Sequence, residues 1–193
     1  MSTDKWQILL GSASPRRREL LAGLDIPFTA ISIDADESYP DSLQAGDIPR
    51  FISRAKAEAY SERLQANQLL ITADTIVWMD GRMYGKPHDE REAAAMLREL
   101  SGKTHQVYTA VTFTRQGSEP ETLVDCTDVT FAPLSEDEIA YYISQYRPMD
   151  KAGSYGIQEW IGYIACTAIQ GSYFNVMGFP VHLVYSALKR LLV

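Results

Sequence analysis

Hydrophobic and polar positions form short runs whose periodicity changes along the chain. Apolar stretches at 7–10, 28–33 and 122–131 are typical of strands, as is the long stretch at 106–115. The spacing of apolar residues over 47–65 instead predicts an amphipathic helix. Strands and helices are interspersed irregularly and no internal repeat is present. The pattern therefore predicts a mixed α/β sheet.

Residues with strong N-cap preferences mark where several helices begin. Ser14 followed by Pro15 is typical of an N-cap and the first helical residue. The capping-box spacing, an acceptor side chain followed three positions later by Glu, occurs at Asp89/Glu92 and Ser135/Glu138. A last helix is predicted after Pro180, because proline favours the start of a helix.

Asp74 is predicted to follow directly on a buried strand. The apolar run at 69–73 leads to Asp74 and Thr75, and a hairpin is predicted next, around the turn at 80–81. A further strand is predicted near 161–169. Since α/β sheets present ligands at the carboxyl ends of their strands, Asp74 is the best single candidate for a functional carboxylate.

Composition narrows the class of protein. The chain has 193 residues, 46% of them hydrophobic, which predicts one globular domain over 1–193. Its formal net charge of −7 argues against broad affinity for nucleic acid or anionic membranes. The uncharged stretch at 160–188 is interrupted by glycines and Pro180, so it predicts strand, turn and helix rather than a membrane span. Residues 1–10 lack the pattern of a signal peptide.

The cysteines and histidines do not have the spacing of a metal or redox motif. Cys126 and Cys166 lie in apolar, strand-like stretches, and we expect both to be buried thiols in a reducing cytosol. The histidines, which lack any zinc-binding spacing, are His88, His105 and His182.

Three consecutive arginines, Arg16, Arg17 and Arg18, fall in the first turn of the helix that Ser14 begins. Cations at this end oppose the helix dipole at a cost of about 0.3–1 kcal/mol each, and a bound anion would offset that cost. Backbone N–H groups, the hydroxyls of Ser12 and Ser14, and guanidinium groups together suit phosphate oxygens. We assign Arg16 and Arg17 to phosphate. Arg18 better fits the alternative, a solvated helix end that pairs with surface acids.

Two lysines are further candidates for phosphate contacts. Lys56 lies at the edge of the apolar face of the helix over 47–65. Lys86 stands in a rigid Gly-Lys-Pro turn after the predicted hairpin. Either residue could also be an ordinary surface lysine. No Walker loop is present.

A site that handles polyphosphate requires groups that offset its charge, usually a divalent cation held by carboxylates. Asp74 is the first candidate ligand. Asp36 and Glu37 follow a predicted strand, although an ordinary acidic turn would have the same residues. Gln158 ends a glycine-punctuated loop that starts at Asp150, and its amide offers both a donor and an acceptor to the edge of a nucleobase.

Together, these motifs resemble those of the Maf family of nucleoside triphosphate pyrophosphatases. The resemblance covers nearly the whole chain and rests on G-S-A-S-P-R-R (11–17), D-A-D-E-S (34–38), R-A-K-A-E-A (54–59), A-D-T-I-V (73–77), G-K-P (85–87), S-G-K-T-H-Q-V-Y-T (101–109), K-A-G-S-Y-G-I-Q (151–158) and G-S-Y-F-N-V-M-G-F-P (171–180). It implies an elongated, twisted mixed sheet flanked by helices, with two lobes and a cleft between them. It also implies a cytoplasmic house-cleaning enzyme that uses a divalent metal, Mg or Mn, to hydrolyse a nucleoside triphosphate to the monophosphate and pyrophosphate.

The resemblance also implies roles for individual residues. Asp74 corresponds to the proton acceptor, whereas Arg16, Thr75 and Gln158 correspond to the specificity positions of the branch that acts on dTTP and UTP. The positions that match other cleft residues of the family are Ser12, Arg17, Glu37, Lys56 and Lys86. The residues alone leave open whether Asp74 accepts a proton or, with Glu37, binds the metal. The chain departs from the family pattern at Gly11 and at Glu159–Trp160, so modified pyrimidine nucleotides and CTP stay among the candidate substrates.

A second class of function, a nucleotide-sensing or nucleic-acid-binding regulator of cell division, is compatible with the family's history. The net charge of −7 weighs against it, and Asp74 beside a phosphate site would repel the ligand of a protein that only binds. We therefore expect a pyrimidine nucleoside triphosphate as partner, and neither nucleic acid nor membrane. The aromatic-rich last third of the chain, together with the resemblance, predicts a homodimer.

Overall fold

The structure, a computed structural model, describes residues 5–192. Internal contacts group the chain into two compact units. The first unit comprises the chain up to Asp74, Thr109–Asp125 and the residues from Gly178 onward. The second comprises Thr75–Tyr108 and Cys126–Met177. Each unit is therefore assembled from separate stretches of sequence.

Strands and helices alternate irregularly, as the sequence pattern predicts. In chain order the elements are β1 (Gln7–Gly11), α1 (Pro15–Ala22), β2 (Phe28–Ile31), α2 (Asp47–Ser61), β3 (Gln68–Met79), β4 (Arg82–Tyr84), α3 (Glu90–Leu100), β5 (Thr104–Arg115), β6 (Glu121–Phe131), α4 (Glu136–Tyr146), α5 (Trp160–Ala165), β7 (Cys166–Gln170), α6 (Tyr173–Val176) and α7 (Val181–Leu191). Two short 3-10 turns, Pro148–Asp150 and Ala152–Ser154, lie between α4 and α5.

The strands form one seven-stranded sheet with the order β2-β1-β3-β5-β6-β7, and β4 pairs with β3. Strand β1 runs parallel to both neighbours, so that Leu10 lies opposite Ala30 on β2 and Ile71 on β3. The pairs β3–β4 and β6–β7 are antiparallel. The predicted mixed α/β sheet is therefore confirmed.

In the first unit, alternation along β1 buries apolar side chains on both faces. Leu10 packs in a cluster with Leu21 of α1 and Leu188 of α7. Leu9 points the other way and packs with Ala57 of α2. Because full burial of a leucine side chain is worth about 1.5–3 kcal/mol, these contacts hold α1 and α2 firmly against β1 and β3, the strands that lead to the candidate residues.

The second unit has a core of its own. Leu97 of α3 and Tyr142 of α4 are fully buried in one cluster with Phe131 of β6. Tyr155, from the loop that precedes α5, packs edge-on against Phe131 with ring centroids 4.9 Å apart. This core therefore supports the loop that carries Gln158.

The local helix and turn signals are confirmed. Ser14 caps α1 and Pro15 is its first residue, and capping side chains begin α3 at Asp89 and α4 at Ser135. The hairpin between β3 and β4 turns at 80–81, where both residues have positive φ, +53° and +77°. Such φ values are the signature of a tight hairpin turn.

Two predicted strand boundaries are wrong. The strand predicted over 69–73 and the first strand of the predicted hairpin, 76–79, are one continuous strand, β3, which passes through Asp74. Strand β3 pairs with β1 in its first half, with β4 at its end and with β5 on its other side. The strand predicted near 161–169 begins only at Cys166, and the preceding residues form α5, whose Ile161 and Ala165 are buried one turn apart. A short apolar run fits both structures, and here packing against the core decides for the helix.

Neither Cys126 nor Cys166 forms a disulfide bond, as expected, but the expectation that both are buried is wrong. Cys126 is exposed and Cys166 is partly exposed. Cys126 lies on β6, where side chains alternate between the core and the solvent. Among residues 5–192, no helix is long and apolar enough to cross a membrane.

Candidate active site

The turn between β1 and α1 is held by its two serines. Ser12 is buried, and its hydroxyl accepts a hydrogen bond from the Ser14 backbone N–H at 3.2 Å. The Ser14 hydroxyl accepts one from the Arg17 N–H at 3.5 Å. Both predicted phosphate-binding hydroxyls therefore lie at the start of α1, where the helix dipole favours an anion.

Arg17 has a structural role that the sequence did not reveal. Its Nε donates to the Gly178 carbonyl at 2.9 Å and its Nη1 donates to the Ala73 carbonyl at 2.8 Å. Burial lowers the pKa of Arg17. The negative charges of Asp74 and Glu37 oppose this effect, whereas the positive charge of Arg16 adds to it. The guanidinium therefore anchors the backbone directly before Asp74.

The three arginines differ in their surroundings. Arg16 and Arg17 are partly buried, whereas Arg18 is exposed. Arg16 lies close enough to Arg17 to lower its pKa. Arg18 is therefore a solvated residue, as expected, whereas ligand binding by Arg16 and Arg17 stays a prediction.

Lys56, Asp74 and Glu37 form the central charged cluster of the first unit. The Lys56 Nζ lies 2.8 Å from Asp74 Oδ1 and 2.9 Å from Glu37 Oε1. The Lys56 and Asp74 side chains are only 14% and 13% exposed, and Glu37 is 52% exposed. The structure thus joins a helix residue, a strand residue and a loop residue that the sequence identified separately. The cluster carries two negative charges and one positive charge.

A buried hydroxyl contact fixes α2 against β3 beside this cluster. Thr72 donates its hydroxyl proton to the Ser53 carbonyl at 2.7 Å, and both residues are fully buried. Ser53 precedes Lys56 by about one helical turn, and Thr72 lies on the same face of β3 as Asp74, two residues on. Sequence reasoning missed both residues. The signal that could have identified Thr72 is that it is a polar residue inside the apolar run 69–73.

The carboxylates of the cluster fit a magnesium-type site. Mg²⁺ is usually held by one or two carboxylates together with substrate phosphates and water, and Glu37 and Asp74 place two carboxylates around one point. Within residues 5–192 there is no group of three or more His, Cys, Asp or Glu side chains that could hold a metal alone. A metal at this position would share its carboxylates with the Lys56 ammonium.

The second unit holds the other predicted residues. Thr75 is partly buried within β3, and Lys86 is exposed in the turn after β4. The Gly85 carbonyl, next to Lys86, accepts a hydrogen bond from the Gly153 N–H at 3.0 Å. Gly153 has φ +67°, and a Cβ there would lie 2.8 Å from Val77. Glycine therefore allows the loop of Gln158 to join the turn of Lys86.

Gln158 is partly buried, and its side-chain oxygen is buried without a hydrogen bond from any described residue. Such an unpaired acceptor is uncommon in a folded protein. Sequence reasoning assigned no role to Tyr142 and Lys151, which both contact Glu159, the residue after Gln158. Burial, and then the hydrogen bond to Glu159, raise the pKa of Tyr142 far above its ordinary value, so its hydroxyl stays protonated and donates.

Comparison with known proteins yields relatives over nearly the full chain. A family model described as Maf-like protein matches residues 7–191. A protein of Phocaeicola vulgatus named dTTP/UTP pyrophosphatase is 54% identical over 189 residues, covering 97% of each chain. A protein of Porphyromonas gingivalis with the same name is 54% identical over 188 residues, covering 96% of this chain and 94% of the relative.

Similarity to solved structures concerns the fold alone. A HAM1 protein from Coxiella burnetii superposes with a TM-score of 0.50 at 16% sequence identity, covering 96% of this chain and 99% of that one.

A more distant sequence relative, from Flavobacterium johnsoniae, is 44% identical over 187 residues, covering 97% of this chain and 96% of the relative. It has the same name as the two closer proteins.

Proposed function

The chain belongs to the Maf-like protein family, and from that membership we propose that it is a nucleoside triphosphate pyrophosphatase. Its substrates are dTTP and UTP, with modified pyrimidine nucleotides as further candidates, and its products are the nucleoside monophosphate and pyrophosphate. The names of relatives that are 54% identical over nearly the whole chain support this substrate class. Removal of unwanted nucleotides, a house-cleaning activity, is the corresponding role.

The observation that carries the proposal is the contact of Lys56 with both Asp74 and Glu37. A lysine held between two carboxylates, which lie near enough to Arg17 to raise its pKa, provides both signs of charge that polyphosphate hydrolysis requires. The cation binds phosphate oxygens, and a carboxylate accepts a proton or holds a metal. Lys56 and Asp74 are largely shielded from water, which strengthens the electrostatic interaction between them.

The reaction is attack of water on the α-phosphorus. A bond forms between the water oxygen and this phosphorus, the bond to the oxygen that bridges to the β-phosphorus breaks, and pyrophosphate leaves. Arg16 and Lys56 would bind phosphate oxygens and stabilise the charge that develops on the leaving group, and Lys86 is a further candidate for a phosphate contact. Ser12 and Ser14 orient the start of α1, and Arg17 holds the backbone at Asp74, which would either accept the proton from water or hold the metal that activates it.

A divalent cation, Mg or Mn, completes the proposal. Glu37 and Asp74 would hold it, and when bound it would lower the pKa of water and neutralise phosphate charge. Asp74 then serves either as its ligand or as the proton acceptor. Lys56 contributes a fixed positive charge to the same carboxylates in either case.

Arg16, Thr75 and Gln158 are the proposed specificity residues. Uracil and thymine present an N3–H donor flanked by two carbonyl oxygens, and an amide side chain can match one donor and one acceptor of this edge. The unpaired Gln158 oxygen supports the assignment, because a base N3–H would satisfy an acceptor that the protein leaves unsatisfied.

We also propose a cytoplasmic homodimer that binds neither nucleic acid nor membranes. An exposed group of aromatic and aliphatic side chains in the second unit supports the dimer: Tyr163 is 81% exposed, and Ile164, Tyr173 and Phe174 are also exposed. Patches of this kind are typical of interfaces. The negative net charge supports the absence of nucleic acid. Solution scattering at micromolar concentration tests the dimer, and a monomer mass would contradict it.

The activity is tested with a panel of UTP, dTTP, CTP, ATP and GTP, each with and without Mg²⁺ or Mn²⁺. We expect pyrophosphate and monophosphate as products, with UTP and dTTP as the best substrates. Asp74→Asn should lose most turnover, with Asp25→Asn, a loop residue outside the cluster, as the control. Orthophosphate as the only product, preference for a purine, or near-normal turnover of Asp74→Asn would contradict the proposal.

A further inference from the structure

The loop that ends at Gln158 is closed at its base by an ion pair. Lys151 is the second residue of the loop, which starts at Asp150, and Glu159 directly follows the loop. The Lys151 Nζ lies 3.1 Å from Glu159 Oε1. The two side chains are 9% and 19% exposed, so this pair is largely removed from water. A second partner of Lys151, Asp150 at 2.7 Å, is 60% exposed. Glu159 is therefore the inner of the two carboxylates that hold Lys151.

A single tyrosine hydroxyl ties the same carboxylate to the middle of the loop. Tyr142 of α4 is fully buried, and its hydroxyl donates to Glu159 Oε2. The hydroxyl oxygen in turn accepts a hydrogen bond from the Gly156 N–H at 3.0 Å. Every polar atom in this series of buried hydrogen bonds has a partner. Fully satisfied networks of this kind make the surrounding structure rigid.

The backbone on both sides of Gln158 has little room to move. The Glu159 N–H donates to the Gly156 carbonyl at 2.9 Å, which closes a turn around Gln158. A Cβ on Gly156 would lie 2.8 Å from the Glu159 carboxyl carbon, and a Cβ on Gly162 of α5 would overlap the Ile157 carbonyl. Only glycine fits at these two positions while the carboxylate and the helix keep their places.

We propose that Glu159 is a positioning residue for Gln158, and that through it Glu159 determines the preference for uracil over cytosine. The inference rests on the proposed function, in which Gln158 reads the base.

The chemistry of the two bases explains why a fixed loop matters. The amide of Gln158 can accept from N3–H of uracil and donate to an adjacent carbonyl. After a flip of the amide it can instead donate to N3 of cytosine and accept from the exocyclic amine. Discrimination therefore depends on holding one arrangement. An amide flip is a rotation about the last side-chain torsion, so the backbone acts on it only through the surroundings in which it places the amide. The Gln158 oxygen is buried, and the network of Tyr142, Lys151 and Glu159 fixes the backbone that places it there.

The test is a double-mutant cycle measured with UTP and CTP. Glu159→Gln keeps an acceptor for Tyr142 but removes the charge that faces Lys151. We expect KM for UTP to rise about tenfold with kcat changed less than about twofold, and the ratio of UTP to CTP efficiency to fall about tenfold. Tyr142→Phe, which removes only the hydroxyl, should change the ratio in the same direction. The control is Glu136→Gln. Glu136 lies on α4, the same helix as Tyr142, and this variant breaks its exposed ion pair with Arg98 of α3.

The Gln158→Ala background separates positioning from a general structural role. If Glu159 acts through Gln158, adding Glu159→Gln to Gln158→Ala changes the UTP to CTP ratio by less than about twofold. An equal loss for both nucleotides, or the same effect of Glu159→Gln in both backgrounds, would overturn the inference while leaving the proposed function intact. A wild-type protein that does not hydrolyse UTP would overturn the proposed function and this inference with it.

Discussion

Arg17 offers a test of whether a cation at the start of α1 binds phosphate or supports the protein chain. Its guanidinium donates to the carbonyls of Ala73 and Gly178 at 2.8 and 2.9 Å. The perturbation is Arg17→Met, which keeps an unbranched apolar side chain and removes both donors. Arg17→Lys, the second variant, keeps the charge but replaces the planar fork with a single ammonium that cannot reproduce both bonds in the same geometry.

The expected loss of stability follows from these two hydrogen bonds. A hydrogen bond from a charged donor contributes about 1.5–3 kcal/mol, and the burial that lowers the pKa of Arg17 offsets part of the sum. We expect Arg17→Met to lower the free energy of unfolding by about 3 kcal/mol, within the range for breaking a buried charged contact. For a chain of this size the melting temperature should fall by about 6–12 °C.

The assay compares thermal unfolding without nucleotide and steady-state hydrolysis of UTP. Arg18→Met is the matched control, because Arg18 is the adjacent residue and is exposed. It should change the free energy of unfolding by less than about 0.5 kcal/mol. Arg17→Lys should fall between the wild type and Arg17→Met in stability. It should also lower kcat, because the carbonyl of Ala73 directly precedes Asp74.

The reasoning would be refuted if Arg17→Met unfolded at the same temperature as Arg18→Met in the absence of nucleotide. A large loss of activity with unchanged stability would show that Arg17 acts on the substrate alone. Full recovery of stability in Arg17→Lys would show that the charge matters and the fork geometry does not.

Three further predictions concern individual side chains. Arg16→Ala, Lys56→Ala and Lys86→Ala should each lower kcat/KM for UTP at least tenfold with the fold intact, since each removes a charge-assisted contact worth about 1.5–3 kcal/mol. Wild-type kinetics together with an unchanged circular dichroism spectrum would show that the replaced residue does not contact the substrate. Thr72→Val should lower the free energy of unfolding by about 1 kcal/mol in urea titrations and also lower kcat, because the hydroxyl bond to Ser53 sets the position of Lys56; a loss of stability with unchanged kcat would remove the positioning role. Burial lowers the pKa of His105 from 6.5 to about 4, so as pH falls the unfolded chain takes up this proton first. The stability of wild type relative to His105→Gln should therefore be complete above pH 6.5 and decrease by about 3 kcal/mol as pH falls to 4, as measured by urea unfolding at each pH, and a pH-independent difference would contradict the buried neutral imidazole.

Features determined by nearby residues could be predicted from the sequence. The starts of α1, α3 and α4 depend on a capping side chain and the three residues after it, and all were found from Ser14, Asp89 and Ser135. The hairpin at 80–81 is equally local, since Asp-Gly readily adopts positive φ. Cap and turn energies act within one turn of chain, and this is why a single sequence contains the information.

Features determined by packing could not be predicted in the same way. The run from Trp160 to Ala165 is apolar enough for a strand, yet it forms α5, whose Gly162 lies directly against the Ile157 carbonyl. The continuity of β3 through Asp74, between the parts that pair with β1 and with β4, depends on its neighbour β5. In both cases the deciding contact comes from another element.

The candidate site divides along the same line. Lys56 and Asp74 could be identified separately by their places on a helix edge and in an apolar strand, but their ion pair joins residues 18 positions apart in the sequence. Arg17 was predicted to bind phosphate because guanidinium and phosphate are a common pair. That its guanidinium binds two backbone carbonyls depends on where Ala73 and Gly178 lie, which the sequence pattern around Arg17 does not contain.

The order of segments in the first unit has a consequence for synthesis on the ribosome. That unit contains β1 near the start of the chain and α7 near its end, and Val184, Ala187 and Leu188 of α7 are buried in the same cluster as Leu10. The core of the first unit therefore cannot close until α7 has left the exit tunnel. The second unit ends at Met177, so all its residues are synthesised before α7. During translation its core can therefore form while the core of the first unit is still incomplete.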